Sequence, residues 1–147
     1  MRILALDVGR RRVGFAISDF SRTLARPLST LTVTDADALE RVTTEVLRIA
    51  AEDDGVQTVV VGLPTRLDGT PSDQTAVVER FIVALRDRLP MPIVTEGERL
   101  SSREAESRLA LRERDWKKRK AQLDAAAAAV ILQDYLDRSV HTDPSRD

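Results

Sequence analysis

The chain has no cysteine, a single histidine and few aromatic residues, and each shortage removes a class of chemistry. Without cysteine there is no thiolate nucleophile, no Cys-containing zinc site and no disulfide framework. The one histidine, His141, lies in a polar terminal stretch that reads as a flexible tail over residues 139–147. A Ser-His-Asp or Cys-His machine is therefore not expected, and any catalysis falls to carboxylates and a cation. With one tryptophan, one tyrosine and three phenylalanines, the chain lacks a broad platform for stacking single-stranded bases. No apolar stretch approaches the ~18–20 residues that span a bilayer, and no signal-peptide pattern opens the chain. The expectation is a cytoplasmic protein with no membrane partner.

What is present fits one domain. At 147 residues the chain can bury roughly 68–70% of its unfolded surface, so residues 1–138 are read as a single domain. Net charge is −1, but its distribution is uneven. Arg10-Arg11-Arg12 and Lys117-Lys118-Arg119-Lys120 are basic runs, and the stretch from Asp35 to Asp54 is mostly acidic.

Hydrophobic periodicity orders the elements. Ile3 to Asp7 and Val13 to Ser18 read as two strands of a hairpin turned by Gly9 to Arg12, and Ala25 to Val33 as a third, at the sheet edge because of Pro27. Asp35 or Asp37 caps a helix carrying Leu39, Val42, Val46 and Ile49. The continuous run Thr58-Val-Val-Val61 reads as a buried parallel strand. A helix with Val78, Phe81, Ile82, Leu85 and Leu89 on one stripe follows, then the short strand Ile93 to Thr95. Ser101-Ser-Arg-Glu104 matches a capping box at the start of another helix, and a last helix spans about Gln122 to Arg138. The order βββαβαβαα describes an α/β fold: a five-stranded mixed sheet with helices on both faces, the fourth strand beside the first.

Three carboxylates sit against apolar runs: Asp7 at the end of the first strand, Glu98 just after the last, and Asp124 at the head of an alanine run. Asp124 shares a helix face with Ala128, Ile131 and Tyr135, and the alanines allow that helix to come close to the sheet and carry Asp124 toward Asp7. Two carboxylates ~4 Å apart repel by about 4 kcal/mol at an effective dielectric near 20, so such a cluster calls for cations. Mg²⁺ suits it, and a pair of divalent ions can both activate water and stabilise a leaving oxygen. Taken singly, Asp7 can cap the turn at Gly9, Glu98 can pair with Arg99, and Asp124 can favour a helix N-terminus. Their joint occurrence in a chain so poor in histidine favours the metal reading.

Four stretches in order, Leu4-Ala-Leu-Asp7-Val-Gly-Arg-Arg-Arg-Val-Gly14-Phe-Ala-Ile-Ser-Asp19, Val60-Val-Gly-Leu-Pro64 with Asp68-Gly69-Thr70, Glu98-Arg-Leu-Ser-Ser102, and Lys117 to Leu136 with Asp124, resemble the YqgF family. The resemblance covers the chain up to about Arg138. It implies a ribonuclease H-like fold with Asp7, Glu98 and Asp124 as the catalytic, metal-binding triad. It also implies an Mg²⁺- or Mn²⁺-dependent phosphodiesterase that acts on structured RNA, maturing the 5′ end of precursor 16S ribosomal RNA in ribosome biogenesis. Ribosomal particles count among its partners, and a monomer or weak homodimer is expected. One departure stands out: Gly97-Glu98-Arg99 replaces the usual Asp-Glu-Arg.

Arg10, Arg11 and Arg12 follow Asp7 directly and are expected at the rim of the site, with Lys117, Lys118, Arg119 and Lys120, ahead of the Asp124 helix, as the opposite bank. If about six of these seven charges meet duplex phosphates, log K falls with log salt at a slope near −5. Thr65, Arg66 and Asp68 are further candidate substrate contacts, and Ser101 reads as a helix cap, since no base is expected beside it. Rival readings are a Holliday-junction or branched-DNA resolvase, a nucleotide binder suggested by Asp7-Val-Gly, and a non-catalytic RNA-binding assembly factor.

Overall fold

The computed structural model describes residues 1–66, 68–97 and 116–142. Strands β1 (Arg2–Val8), β2 (Arg12–Ser18) and β3 (Ala25–Thr32) form an antiparallel meander. Helix α1 (Ala38–Ala50), β4 (Val56–Leu63), helix α2 (Asp73–Arg86) and β5 (Ile93–Gly97) follow, and helix α3 (Trp116–Thr142) comes last. The sheet order is β3-β2-β1-β4-β5, with β4 parallel to both β1 and β5. β1 is central and β3, with Pro27, is an edge, as the alternation and the proline indicate.

Side-chain alternation splits the core into two layers. Leu4, Leu6, Val13, Phe15 and Ile17 face Val42, Val46 and Ile49 of α1 and Val78, Ile82 and Leu85 of α2. Ile3, Ala5, Ala16 and Val60 face Ala128, Ile131, Leu132 and Leu136 of α3. Helices therefore cover both faces, and among the described residues the long helix has the second to itself.

The helix starts are built from local polar pairs. Thr34 and Asp37 bond each other reciprocally ahead of α1, the Thr34 N–H donating to Asp37 Oδ1 at 2.7 Å and the Asp37 N–H to Thr34 Oγ1 at 3.2 Å. That donor holds the Asp37 carboxyl below its ordinary range. Ser72 and Thr75 form a capping box at α2, and the Thr75 hydroxyl also donates to the Pro64 carbonyl, tying the helix to the end of β4.

Two boundaries differ from expectation. α3 begins at Trp116 instead of near Gln122, so Lys117 to Lys120 lie inside its first turns and do not precede it. Lysine, arginine and glutamine are good helix formers, and a charged run carries no stop signal. The helix also continues to Thr142, which places His141 in its last turn. The expected Ser101 capping box and its helix lie outside the described residues. Among the described residues, no helix is long and apolar enough to cross a membrane.

Candidate metal and nucleic-acid site

Asp7 is paired across the sheet with Gly14. It alternates with Ile3 and Ala5, both packed in the α3 layer, so its half-buried side chain belongs to the face that α3 covers. Gly14 has a steric reason to be glycine. A Cβ there would stand 2.8 Å from the Ala125 backbone nitrogen and closer still to the Asp124 carbonyl. The α3 backbone thus rests directly on β2 where Asp124 enters, and Asp7 lies one strand spacing away, ~4.8 Å. The buried alanines that follow, Ala125, Ala127 and Ala128, keep the helix this close.

The row continues across the sheet. One residue beyond the Leu6–Val61 pair, Asp7 stands level with Gly62, and Gly62 is paired with Glu96. Gly14 and Gly62 leave Asp7 flanked by two residues without side chains, and at Gly14 the α3 backbone takes the place a side chain would fill.

The charges near this row are partly matched. Arg12, two residues before Gly14 on β2, donates through Nε to Asp124 Oδ2 at 2.7 Å, with the two side chains 37% and 23% exposed. Arg12, expected at the rim of the site, is in this structure the cation on Asp124. Arg10 and Arg11 are exposed in the turn closed by Gly9 N–H to Arg12 carbonyl, 2.9 Å, at the Asp7 end of the sheet. Arg66 is exposed in the loop that Thr65 and Pro71 bridge. Asp68 accepts from the Thr70 N–H at 2.9 Å and from its hydroxyl at 2.7 Å, which gives it a turn-forming role.

Glu96 was not singled out as a site residue. It is 6% exposed on the α3 face of β5 and is ion-paired with Arg138 of α3. Burial raises its pKa, Arg138 opposes that shift, and Asp134 adds to it. Its carboxylate belongs to a clamp between β5 and α3, ~10 Å or two strand spacings from Asp7. The sign of its linkage follows. Above the ordinary value of 4.5 the unfolded Glu96 ionises more readily than the folded one, so stability drains as pH rises through the raised folded value. Glu96→Gln removes this drain. Denaturant titrations from pH 4.5 to neutrality should show the variant gaining on wild type as pH rises.

Glu98, the third expected ligand, lies outside the described residues, as do the side chains of Lys117, Lys118, Arg119 and Lys120. Among the described residues, no group of three or more acidic, histidine or cysteine side chains forms a metal nest. The structure seats the Asp124 backbone on Gly14, the cross-strand partner of Asp7. β5 ends at Gly97, and among the described residues nothing stands within 4 Å of an added Cβ there. By strand alternation such a Cβ shares the face of Ile93, opposite to Asp7, so Gly97 subtracts no oxygen from the row.

A three-strand meander, two parallel crossovers and a long helix laid over the central strand define the ribonuclease H-like class. Two solved structures share the fold. Thermus thermophilus RuvC in complex with a Holliday junction substrate matches with a TM-score of 0.56 at 15% identity, over 97% of both chains. The Fowlpox virus resolvase with Holliday junction DNA matches at 0.58 and 12% identity, over 94% of this chain and 98% of that one. More specifically, the chain belongs to the RuvX family, whose model, described as Holliday junction resolvase, matches residues 1–138. A relative from Chloroflexus aurantiacus is 45% identical over 135 residues, covering 92% of this chain and 86% of its own length. One from Geobacillus thermodenitrificans is 39% identical over 137 residues, covering 93% and 98%. Both carry the name "Putative pre-16S rRNA nuclease". The family resemblance read from the four motifs is borne out.

Proposed function

We propose that the protein is a divalent-metal-dependent phosphodiesterase that processes the 5′ end of precursor 16S ribosomal RNA. The observation that carries this reading is the placing of Asp7 on the sheet face that α3 covers, beside the glycine that seats the Asp124 backbone, with Arg12 paired to Asp124. The donor chemistry fits a hard cation: both side chains offer only oxygen, and no sulfur or imidazole stands among them. Asp7, Asp124 and Glu98 are the residues that would hold Mg²⁺ or Mn²⁺. When bound, the metal supplies activation of water and neutralisation of charge on the scissile phosphate.

The chain's own groups do the rest. Asp7 and Asp124 fix where the reacting phosphate can stand, because one sits on the central strand and the other on the helix packed over it. Arg10 and Arg11, exposed beside this end of the sheet, draw the nucleic-acid backbone in. The Lys117 to Lys120 run, in the first turns of α3, supplies the second bank, and Arg66 an outlying contact. Recognition is of backbone and shape, since phosphate contacts carry affinity without reading bases. Replacing Arg10 and Arg11 by alanine should flatten the plot of log K against log salt by roughly two. Electrophoretic mobility shifts across a salt series measure this.

The relatives' names support RNA as the substrate, at 39–45% identity over most of the chain. The family description supports a second reading, cleavage of four-way DNA junctions. Labelled precursor RNA and a labelled DNA junction, incubated side by side with Mg²⁺, Mn²⁺ or chelator, separate them. Metal-dependent cut RNA with intact junction is expected. Cut junction with intact RNA would reverse the assignment, and no cleavage under any metal would leave a binding protein only.

A further inference from the structure

The Arg12–Asp124 pair spans 112 positions and joins a residue thought of as phosphate-binding to one thought of as metal-binding. Among the described residues the contact is side-on and single. Nε meets Oδ2, so the terminal nitrogens of the guanidinium remain for other acceptors and Oδ1 remains for another cation. Arg12 is more than a third exposed, so the guanidinium can turn outward with little change in its hydration. An ion pair at such exposure is worth little and is readily exchanged.

Resting on the metal reading above, we propose that Arg12 is a built-in counter-ion that couples metal loading to nucleic-acid arrival. In the free protein the guanidinium holds Asp124 Oδ2 and competes with a divalent ion for it. When a backbone phosphate enters from the Arg10–Arg11 turn, it offers Arg12 a bidentate acceptor, and the guanidinium leaves the carboxylate. Asp124 then presents both oxygens to the metal. By linkage, nucleic acid tightens metal binding and metal tightens nucleic-acid binding by the same factor.

The test is Mn²⁺ titration, followed by calorimetry, of wild type, Arg12→Gln, Arg12→Lys and Asp7→Asn, each with and without a short RNA duplex. Without RNA, Arg12→Gln should bind Mn²⁺ about two- to fivefold more tightly than wild type, the range a partly exposed ion pair allows. Arg12→Lys, which keeps the charge, should stay nearer wild type. Adding RNA should tighten Mn²⁺ binding in wild type and leave Arg12→Gln unchanged. Thermal melts in chelator confirm that each variant is folded. Mn²⁺ binding by Arg12→Gln equal to or weaker than wild type, with Asp7→Asn losing the ion, would overturn the counter-ion role and leave the metal site standing. Absence of Mn²⁺ binding in both wild type and Arg12→Gln would overturn the metal reading itself and this inference with it.

Discussion

Asp7→Asn is expected to lower metal-dependent cleavage by about three orders of magnitude, or ~4 kcal/mol of transition-state stabilisation, while the protein folds and, in chelator, binds nucleic acid as before. Asp7 lies on the central strand, flanked by Gly14 and level with Gly62, and its side chain is directed to the α3 face. Asparagine keeps its volume and one acceptor oxygen, so packing and strand pairing are preserved. What disappears is one negative charge at the place where a divalent ion must be held. Nucleic-acid affinity measured in chelator depends on the exposed arginines and should not fall; with metal present the variant loses only the coupled gain. Single-turnover cleavage beside a binding isotherm measures both effects, and normal cleavage by the purified variant would remove Asp7 from the site.

Gly14→Ala should do damage of a different kind. The added carbon would stand 2.8 Å from the Ala125 nitrogen, against helix backbone that cannot rotate aside. Either β2 or the head of α3 must move. Overpacking of this sort costs about 1–3 kcal/mol or more, which in a domain of this size lowers the melting temperature by roughly 3–10 °C. The functional loss should exceed the stability loss, because α3 carries Asp124. A displacement of about 1 Å at a reacting centre can cost 100-fold. A variant that melts normally and cleaves normally would show that the close approach of α3 to β2 is dispensable.

Much of this architecture is legible in the residue pattern, and particular residues show why. Thr58 to Val61 has no polar alternation, which only a strand buried on both faces tolerates, and it proves to be β4 beside central β1. Pro27 marks the edge because a missing N–H is harmless only there. The alanine run announces a helix that comes close to something, and Gly14 is what it meets. The start of α3 is hidden because lysine and arginine suit helix and loop alike. Arg12 is hidden differently: three adjacent arginines look equivalent in the sequence, and only strand alternation sends one of them to Asp124 while its neighbours stay exposed. Glu96 lies in Thr95-Glu-Gly-Glu98, which reads as polar loop. It is buried because β5 runs on to Gly97 and α3 offers Arg138 in compensation.

The proposed chemistry requires Asp7 and Asp124 to share one cation. A crystal soaked in Mn²⁺ and measured at the manganese edge tests this most directly. An anomalous peak lying between the carboxylates of Asp7 and Asp124, and lost in Asp7→Asn crystals, is the predicted result. Manganese bound only elsewhere, or nowhere, in well-ordered crystals would contradict it.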